Sequence, residues 1–323
     1  MPEKVFVSRS IPRPGLDILE AAGFRVEVNP EERVLTAEEL VRSCREKAGL
    51  LCLLTDTIDR SFLDQATTLK AIATMSVGYN HIDLEAAKEK GIGVANTPGV
   101  LTDATAELTW ALILAVARRI PEATRFLRGG EFTGWGPILL LGVELNGKTL
   151  GIVGAGRIGT AVGLKAAAFG MKVVYLDPGR CPELEKRAGA EKLPLERLLA
   201  EADFVTLHVP LTEETRCLIG RGELRRMKPT AFLINTSRGP VIDEEALAEA
   251  LREKEIAGAG LDVYEKEPHV HPGLLTLQNV VLLPHIGSAT VETRSRMAVM
   301  AAENLAAMLS GKPPKNPVPL PRN

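Results

Sequence analysis

Residues 149–177 read TLGIVGAGRIGTAVGLKAAAFGMKVVYLD, and this stretch decides the fold. An apolar run is followed at once by three glycines in the spacing G-x-G-x-x-G and then by a helix-like segment. The pattern predicts a strand, a tight turn at Gly154, an open backbone at Gly156 for a pyrophosphate, and a close helix–strand contact at Gly159. We therefore predict a dinucleotide site at this helix N-terminus, where N–H groups are free. The residues of the turn predicted to bind the cofactor are Gly154, Gly156, Arg157, Ile158 and Gly159.

Asp177 gives this motif its context, because a glycine-rich turn alone is a weak signal. It ends the next predicted strand about 20 residues on, where a carboxylate can hydrogen-bond both ribose hydroxyls of a dinucleotide. A carboxylate there disfavours the additional 2'-phosphate of NADP, so the sequence predicts NAD as the cofactor. Arg180 lies close behind and is a residue type that can accept this phosphate, which keeps NADP possible.

Short apolar runs alternate with amphipathic helical stretches along the chain, which is typical of parallel sheets covered by helices. The predicted fold class is therefore α/β. The strands of a first series are predicted at residues 5–8, 26–28, 50–54, 70–74 and 94–95, and those of a second series at 149–153, 173–177, 204–208, 231–235, 259–262 and 280–283. Six strands in the second series suit a complete doubly wound dinucleotide-binding sheet.

The helical segments outside these sheets bear on the domain organisation. A length of 323 residues suits two domains. Residues 101–127 predict one long helix, capped by Thr102 or Asp103 and interrupted at Pro121, that runs from one domain into the other. The last predicted helix, at 297–309, is followed by a glycine and two prolines and is expected to pack on the first domain.

Composition excludes several classes of partner. With 39 basic and 41 acidic residues, and a net charge of −2, the chain offers no strongly charged surface to nucleic acid or to a membrane. Neither a signal peptide nor an apolar run of the ~20 residues that span a bilayer is evident. The four cysteines lack close pairing, so we expect free thiols in a reducing compartment. The sequence predicts a cytoplasmic protein that binds a small molecule.

Three polar residues follow successive strands of the second series, namely Arg238, Glu267 and His285. Ligands of open α/β sheets bind at the carboxyl ends of the strands. Reduction of a 2-oxo acid needs a cation for the carboxylate, which arginine supplies, and an acid for the carbonyl oxygen, which histidine supplies. A glutamate on the other histidine nitrogen would orient the ring. Each residue taken singly is read equally well as a surface turn, a solvated charge or a strand-end histidine, but together they favour catalysis.

Longer motifs make the chain resemble a known family. The segments SVGYNHIDLEAAKEKGI, GAGRIG, NTSRGPVIDEEAL, AGAGLDVYEKEP and NVVLLPHIGSAT closely resemble the D-isomer-specific 2-hydroxyacid dehydrogenases, and among them the glyoxylate/hydroxypyruvate reductases or glycerate dehydrogenases. The resemblance covers essentially the whole chain. It implies NAD(P)H-dependent reduction of hydroxypyruvate and glyoxylate to D-glycerate and glycolate. It also implies that Arg238 binds the substrate carboxylate and that Glu267 pairs with His285, the acid/base.

The same resemblance implies an arrangement of domains. A doubly wound NAD-binding Rossmann domain at residues 100–286 would be inserted into a flavodoxin-like substrate domain made of 1–99 plus 287–323, so that the chain holds two Rossmann-like domains. The active site would lie in the cleft between them. Members of the family are typically dimers joined through the cofactor domain, and we expect a homodimer here.

Further site residues follow from the resemblance alone. Backbone groups around Val77 and Gly78 would meet the substrate carboxylate, although Gly78 is equally explained as an ordinary strand-to-helix turn. Thr105 and Thr236 would lie at the cofactor, and Asp262 would meet the nicotinamide carboxamide.

Three features of the sequence narrow the range of candidate substrates. Related phosphoglycerate dehydrogenases tend to carry arginines for a phosphate after the third strand, whereas residues 53–56 here are Leu-Leu-Thr-Asp, and Leu54 is assigned to the substrate pocket. Glu267 argues against formate dehydrogenases, which have glutamine there. Trp135 lies in GGEFTGWGP, and we predict that its indole N–H borders the substrate pocket, with the partner subunit as one source. Packing of Trp135 in an interface or a core is the alternative.

Other functions stay open at this point. A short D-3-phosphoglycerate dehydrogenase, a broader 2-oxo acid reductase and an NAD(H)-sensing corepressor are the alternatives, and the lack of long interaction tails disfavours the corepressor. His269 and His271 are close in sequence, but no third ligand is evident, so we predict no metal site. His208 is read as a strand-end residue rather than a catalyst.

Overall fold

The computed structural model describes residues 2–321. This part of the chain divides into two compact units, one made of residues 2–101 and 288–321 and the other of Thr102–Gly287. Each unit contains one sheet whose strands are all parallel. The predicted α/β fold class with two Rossmann-like sheets is confirmed.

The strands and helices alternate along the chain. The strands are β1 (Lys4–Val7), β2 (Arg25–Val28), β3 (Gly49–Cys52), β4 (Ala71–Thr74), β5 (Gly93–Ala95), β6 (Thr149–Val153), β7 (Lys172–Leu176), β8 (Glu191–Lys192), β9 (Phe204–Leu207), β10 (Phe232–Asn235), β11 (Gly258–Leu261) and β12 (Val280–Leu282). The helices are α1 (Arg13–Ala21), α2 (Ala37–Cys44), α3 (Arg60–Gln65), α4 (Leu84–Glu89), α5 (Thr102–Ala117), α6 (Ile120–Arg128), α7 (Arg157–Ala166), α8 (Pro182–Ala188), α9 (Leu195–Glu201), α10 (Arg221–Arg226), α11 (Glu244–Arg252), α12 (Pro272–Leu275) and α13 (Val291–Leu309).

The sheet of the first unit has the strand order β2-β1-β3-β4-β5, which is the flavodoxin-like order. All five strands were expected from the sequence, and the apolar runs of β3 and β4 are buried along their whole length. The helix α13 returns to this unit and packs on the sheet. Met297, Ala301 and Leu305 of α13 belong to the same buried cluster as Val5 and Val7 of β1.

The sheet of the second unit has the strand order β12-β11-β10-β9-β6-β7-β8. The six predicted strands are present, and β8 joins them as a short edge strand whose two residues are both exposed. Two exposed charged residues give no apolar alternation, so the sequence did not indicate β8. The chain order reverses between β6 and β9, and the carboxyl ends of these strands flank the place where doubly wound sheets bind their ligands.

The prediction of one long helix at 101–127 is wrong. The structure has α5 and α6 instead, separated at Arg119, whose φ of 53° is left-handed and cannot continue a helix. Pro121 lies in the first turn of α6, where a missing N–H costs nothing, and not in a helix interior. Thr102 and Asp103 already lie in α5, so neither precedes it as a cap, and both helices belong to the second unit alone.

The last helix begins earlier than predicted. It starts at Val291 rather than at 297, because the side chain of Thr290 accepts the N–H of Thr293 and caps the helix. All four cysteines are free thiols. Across residues 2–321, no helix combines the length and the apolar character that crossing a membrane requires.

The contact of α1 with α13 gives the first testable prediction. A Cβ at Gly15 would lie 2.8 Å from both Cβ and the carbonyl oxygen of Ala298. We expect Gly15→Ala to lower the free energy of unfolding by about 1–3 kcal/mol, since the backbone of α13 must move to make room. Thermal and urea unfolding measured by circular dichroism test this.

Gly222→Ala is the matched control, because the substitution is the same and the position is also helical. Its Cβ would meet nothing closer than the flexible tip of Arg226, at 3.4 Å. We expect this variant to be as stable as the wild type or up to about 1 kcal/mol more stable. Equal stability of the two variants would contradict the close contact.

Candidate active site

The three glycines after β6 differ in what surrounds them. Gly154 has a φ of 97°, and a Cβ there would lie 2.7 Å from the carbonyl carbon of His208. A Cβ at Gly159 would lie 2.0 Å from the carbonyl oxygen of Gly154. Gly156 meets nothing within 4 Å, and no side chain caps the helix α7 that follows it. Two glycines therefore close the turn, and the third leaves its outer side open beside free helix N–H groups, as a pyrophosphate needs.

Asp177 directly follows β7, and its carboxylate is held against this turn. One oxygen accepts the N–H of Ala155 at 2.9 Å and the other accepts the N–H of Gly179 at 3.1 Å. Each carboxylate oxygen has further acceptor capacity for a ribose hydroxyl. The residues present thus fit a bound dinucleotide, with Asp177 fixed in orientation before any ligand arrives.

The buried hydroxyl of Thr109 links two predicted cofactor residues. Thr109 donates to the carbonyl of Thr105 at 2.8 Å, and its oxygen lies 3.0 Å from the hydroxyl oxygen of Thr236. Sequence reasoning named Thr105 and Thr236 but missed Thr109. The only available signal was its position one helical turn after Thr105, which is common and unspecific.

His285 and Glu267 form a hydrogen-bonded pair. His285 Nδ1 lies 2.7 Å from Glu267 Oε2, and the two side chains are 26% and 29% exposed. His285 follows β12 with a φ of 54°, an uncommon conformation for a residue with a side chain. Asp262 fixes the turn by accepting the N–H groups of Ile286 at 2.7 Å and Gly287 at 2.8 Å. The pairing at Nδ1 leaves His285 Nε2 as the nitrogen available to a ligand.

Glu267 is held as an anion. Burial alone would raise its pKa, but the hydrogen bonds from His285 and from the N–H of Tyr264, with the positive charge of Arg238, outweigh burial, and the pKa lies below its usual value. A carboxylate that remains charged accepts the Nδ1–H of His285 and fixes the orientation of the ring.

Arg238 follows β10 in a turn that its neighbours hold. Asn235 donates to the carbonyl of Arg238 at 2.9 Å and accepts the N–H of Ser237 at 2.9 Å. Gly239 lies so close to the backbone of Tyr264 that a Cβ would come within 1.8 Å of its carbonyl carbon. These contacts between β10 and α11 fix the backbone position from which the Arg238 side chain extends.

The guanidinium of Arg238 lacks an anionic partner. Its Nη1 donates to the carbonyl of Ser237 at 2.7 Å, but within residues 2–321 no carboxylate lies within 4.0 Å of it. Burial lowers its pKa, and the charge of Glu267 raises it in part. A half-buried cation without an ion-pair partner is costly, so this position favours an anionic ligand.

Two residues that support the pair were missed from the sequence. Tyr264 donates its hydroxyl to the carbonyl of Leu283, just before His285, at 2.8 Å, and its N–H donates to Glu267 at 3.0 Å. Glu244, the first residue of α11, is buried and accepts the N–H of Glu265. Tyr264 stood inside the motif DVYEKEP, but nothing in the motif indicated that its hydroxyl is used.

The remaining predicted substrate residues of the first unit lie at strand ends. The carbonyls of Val77 and Gly78, after β4, accept hydrogen bonds from Asn96 at 2.7 Å and Ser76 at 2.6 Å. Leu54 is half-buried after β3.

The acidic residue of the loop after β3 faces inward. Asp56 is only 4% exposed, and it accepts the N–H of Leu53 at 2.7 Å and the hydroxyl of Ser8. Burial raises the pKa of Asp56 despite these bonds. The carboxylate therefore contributes to the internal structure of the loop rather than to an acidic surface.

Two other predictions concern Trp135 and the close histidines. Trp135 is 85% exposed, so the alternative that it packs in a core of the chain is wrong. His271 Nδ1 accepts the N–H of Gly273 at 3.2 Å and thereby caps α12. Within the described residues, no group of three or more potential ligands could hold a metal ion.

Comparison with known proteins places this geometry in context. Residues 110–287 match the family model described as D-isomer specific 2-hydroxyacid dehydrogenase, NAD binding domain. A glyoxylate reductase of Thermococcus litoralis is 51% identical over 98% of this chain and 96% of its own length. A protein of known structure from Thermus thermophilus is 50% identical, with a TM-score of 0.93 over 98% of this chain and 100% of that one.

Among the similar solved structures, we describe one that was obtained with a bound cofactor. It is an NADPH-dependent glyoxylate/hydroxypyruvate reductase from Sinorhizobium meliloti in complex with NADP and malonate. It is 32% identical to this chain, with a TM-score of 0.86, and the match covers 100% of this chain and 99% of that one.

His208, beside the glycine turn, gives the second prediction. Its Nε2 lies 2.9 Å from the hydroxyl of Thr206, its buried Nδ1 has no hydrogen-bond partner among the described residues, and burial lowers its pKa to about 3. Below about pH 6.5 the His208 side chain gains a proton in the unfolded chain but not in the folded chain. The free energy of unfolding therefore decreases as the pH is lowered. We expect His208→Gln to reduce the loss of melting temperature between about pH 7.5 and about pH 5.

His269→Gln is the control for this experiment, since His269 is an exposed loop histidine. It should leave the pH dependence of the melting temperature as in the wild type. If His208→Gln shows the wild-type pH dependence as well, then His208 is not held neutral in the folded chain.

Proposed function

Since this chain belongs to the D-isomer-specific 2-hydroxyacid dehydrogenase family, we propose that it reduces glyoxylate to glycolate and hydroxypyruvate to D-glycerate. It is an NAD(P)-dependent oxidoreductase, and the reaction is reversible. The observation that carries the proposal for the site is the combination of an unpaired Arg238 with the hydrogen-bonded pair of His285 and Glu267.

Each of these side chains has one task in reduction. Arg238 binds the carboxylate of the 2-oxo acid, and its planar fork matches the two oxygens. His285 donates the proton from Nε2 to the carbonyl oxygen, because Nδ1 is occupied by Glu267. Glu267 holds the ring in this orientation through its hydrogen bond with Nδ1.

The nicotinamide cofactor, when bound, supplies the hydride to the carbonyl carbon. With the proton from His285 on oxygen, the ketone or aldehyde becomes an alcohol and the imidazole is left neutral. In the reverse direction His285 takes the hydroxyl proton. Asp262 fixes the backbone just after His285 by accepting the N–H groups of Ile286 and Gly287.

The cofactor site is proposed at the glycine turn. Its pyrophosphate would lie at Gly156 and the N-terminus of α7, where Arg157 and Ile158 begin the helix. Asp177 would accept the ribose hydroxyls. The cofactor roles of Thr105, Thr236 and Asp262, and the substrate roles of Val77, Gly78 and Leu54, stay predictions.

We also propose a homodimer in the cytoplasm. Seven of the ten exposed large hydrophobic side chains among the described residues lie between residues 120 and 141, and these are Ile120, Leu127, Phe132, Trp135, Ile138, Leu139 and Leu141. Exposed apolar patches of this kind mark interfaces. A second copy of the chain is the expected partner, as is typical of the family. Four free thiols suit a reducing compartment.

The catalytic assignment gives the third prediction. His285→Asn removes the proton donor, and we expect kcat for hydroxypyruvate reduction to fall about 10²- to 10⁴-fold with little change in NADH affinity. Arg238→Lys keeps the charge but loses the fork, so KM should rise more than kcat falls. Initial rates and NADH fluorescence titration measure the two effects.

His269→Asn is the matched control, because it makes the same change at an exposed histidine of the same unit. It should retain wild-type rates. Normal turnover of His285→Asn, or loss of NADH binding in that variant, would contradict the role of His285 as the acid.

The exposed apolar segment gives the fourth prediction. We expect the wild type to have twice the mass of one chain in analytical ultracentrifugation and Trp135→Asp/Ile138→Asp to have the mass of one. Leu275→Asp is the control: Leu275 is also well exposed, at 62%, but lies elsewhere in the same unit, so this variant should stay dimeric.

Trp135→Phe separates the interface from the pocket. We expect this variant to stay dimeric and to lose preference for hydroxypyruvate over pyruvate, since one indole hydrogen bond is removed. An unchanged preference would remove Trp135 from the substrate pocket, and a wild type with the mass of one chain would remove the dimer.

A further inference from the structure

Arg180 lies three residues after Asp177, and a second carboxylate already holds it. Its Nε donates to Glu185 Oε1 at 3.1 Å and its Nη2 donates to Glu185 Oε2 at 2.6 Å. Tyr175 donates its hydroxyl to the same Oε1 at 2.5 Å, and the N–H of Cys181 donates to the Tyr175 hydroxyl at 2.9 Å. We call Arg180, Glu185 and Tyr175 the arginine latch.

Only one end of the latch is exposed. Tyr175 is fully buried in β7, and the side chain of Glu185 in α8 is 20% exposed. The side chain of Arg180 is 77% exposed. Glu185 is thus fixed from the protein interior, and Arg180 is the exposed partner that Glu185 holds.

We propose that Glu185 is a specificity-determining residue that reduces the affinity for the 2'-phosphate of NADP by occupying Arg180. The inference rests on the proposed dinucleotide site at Gly154–Gly159 and Asp177. Arginine binds phosphate through the same planar fork that it uses for carboxylate. A phosphate beside Asp177 must displace Glu185 to gain the Nε and Nη2 donors of Arg180, and at the Nη1 side it still meets the negative charge of Glu185.

The charges in the latch support this competition. The hydrogen bond from Arg180 and the one from Tyr175 both lower the pKa of Glu185 against its burial, so the carboxylate is ionised at neutral pH. Without Glu185, Arg180 would be a free cation near Asp177. The effect is graded rather than absolute, because an ion pair with one exposed partner is weak and screened by salt.

The test measures cofactor affinity without substrate. Isothermal titration calorimetry of the full-length protein with NAD⁺ and with NADP⁺ gives the two Kd values for each variant. Glu185→Gln keeps the shape and the hydrogen bond from Tyr175 but removes the charge. We expect it to lower the Kd for NADP⁺ about three- to fivefold, with the Kd for NAD⁺ unchanged within roughly twofold.

Two further variants isolate the latch. Glu183→Gln removes the same charge from the same helix, but Glu183 pairs with Arg187 at 2.7 Å, so it should leave the ratio of the two Kd values unchanged. Arg180→Ala/Glu185→Gln should lose the gain in NADP⁺ affinity. The gain of Glu185→Gln should also shrink as salt is raised.

The outcomes separate the latch from the site. An unchanged NADP⁺ affinity in Glu185→Gln, an equal gain in Glu183→Gln, or a gain that survives Arg180→Ala would each overturn the role of Glu185. Asp177→Ala reports on the dinucleotide site itself, because it should weaken NAD⁺ binding. If Asp177→Ala binds NAD⁺ as the wild type does, the proposed site is wrong, whatever Glu185→Gln shows.

Discussion

The hydrogen bond between His285 Nδ1 and Glu267 is the interaction on which the proposed chemistry depends. Glu267 is placed by the N–H of Tyr264, and the hydroxyl of Tyr264 binds the backbone just before His285. Asp262 holds the backbone just after it. A single segment between β11 and α12 therefore positions both partners of the bond, and a small shift of that segment changes the acid and its orienting carboxylate together.

Two arginines of the second unit show opposite electrostatic situations. Arg238 is largely withdrawn from solvent and has no ion-pair partner among the described residues. Binding of an anion therefore offsets the cost of desolvating its charge. Arg180 is exposed and already paired, so an arriving anion must compete for it. An arginine side chain thus favours an anionic ligand at one position and disfavours it at the other. The difference is whether the fold places a carboxylate beside the arginine.

Much of the fold and of the proposed site could be predicted from the sequence, because the relevant signals are local. Gly154, Gly156 and Gly159 follow a strand and begin a helix, and each later proves to have the space, or the lack of it, that its position demands. The supporting residues that the sequence analysis missed depend on contacts that are not local. Thr109 and Tyr264 act through partners on other elements, which spacing along the chain does not show. The prediction of one continuous helix across Arg119 was wrong for another reason. Proline is common in the first turn of a helix, so Pro121 is compatible with the start of a second helix as well as with an interruption.

The discontinuity of the first unit has a consequence for the order of synthesis. Its sheet begins at β1, yet Met297, Ala301 and Leu305 of α13 fill one face of that sheet's core. The second unit, Thr102–Gly287, is translated entirely before α13 exists. On the ribosome, the part of the chain made first must therefore keep apolar surface uncovered until α13 emerges, while the unit made second can complete its core ahead of it.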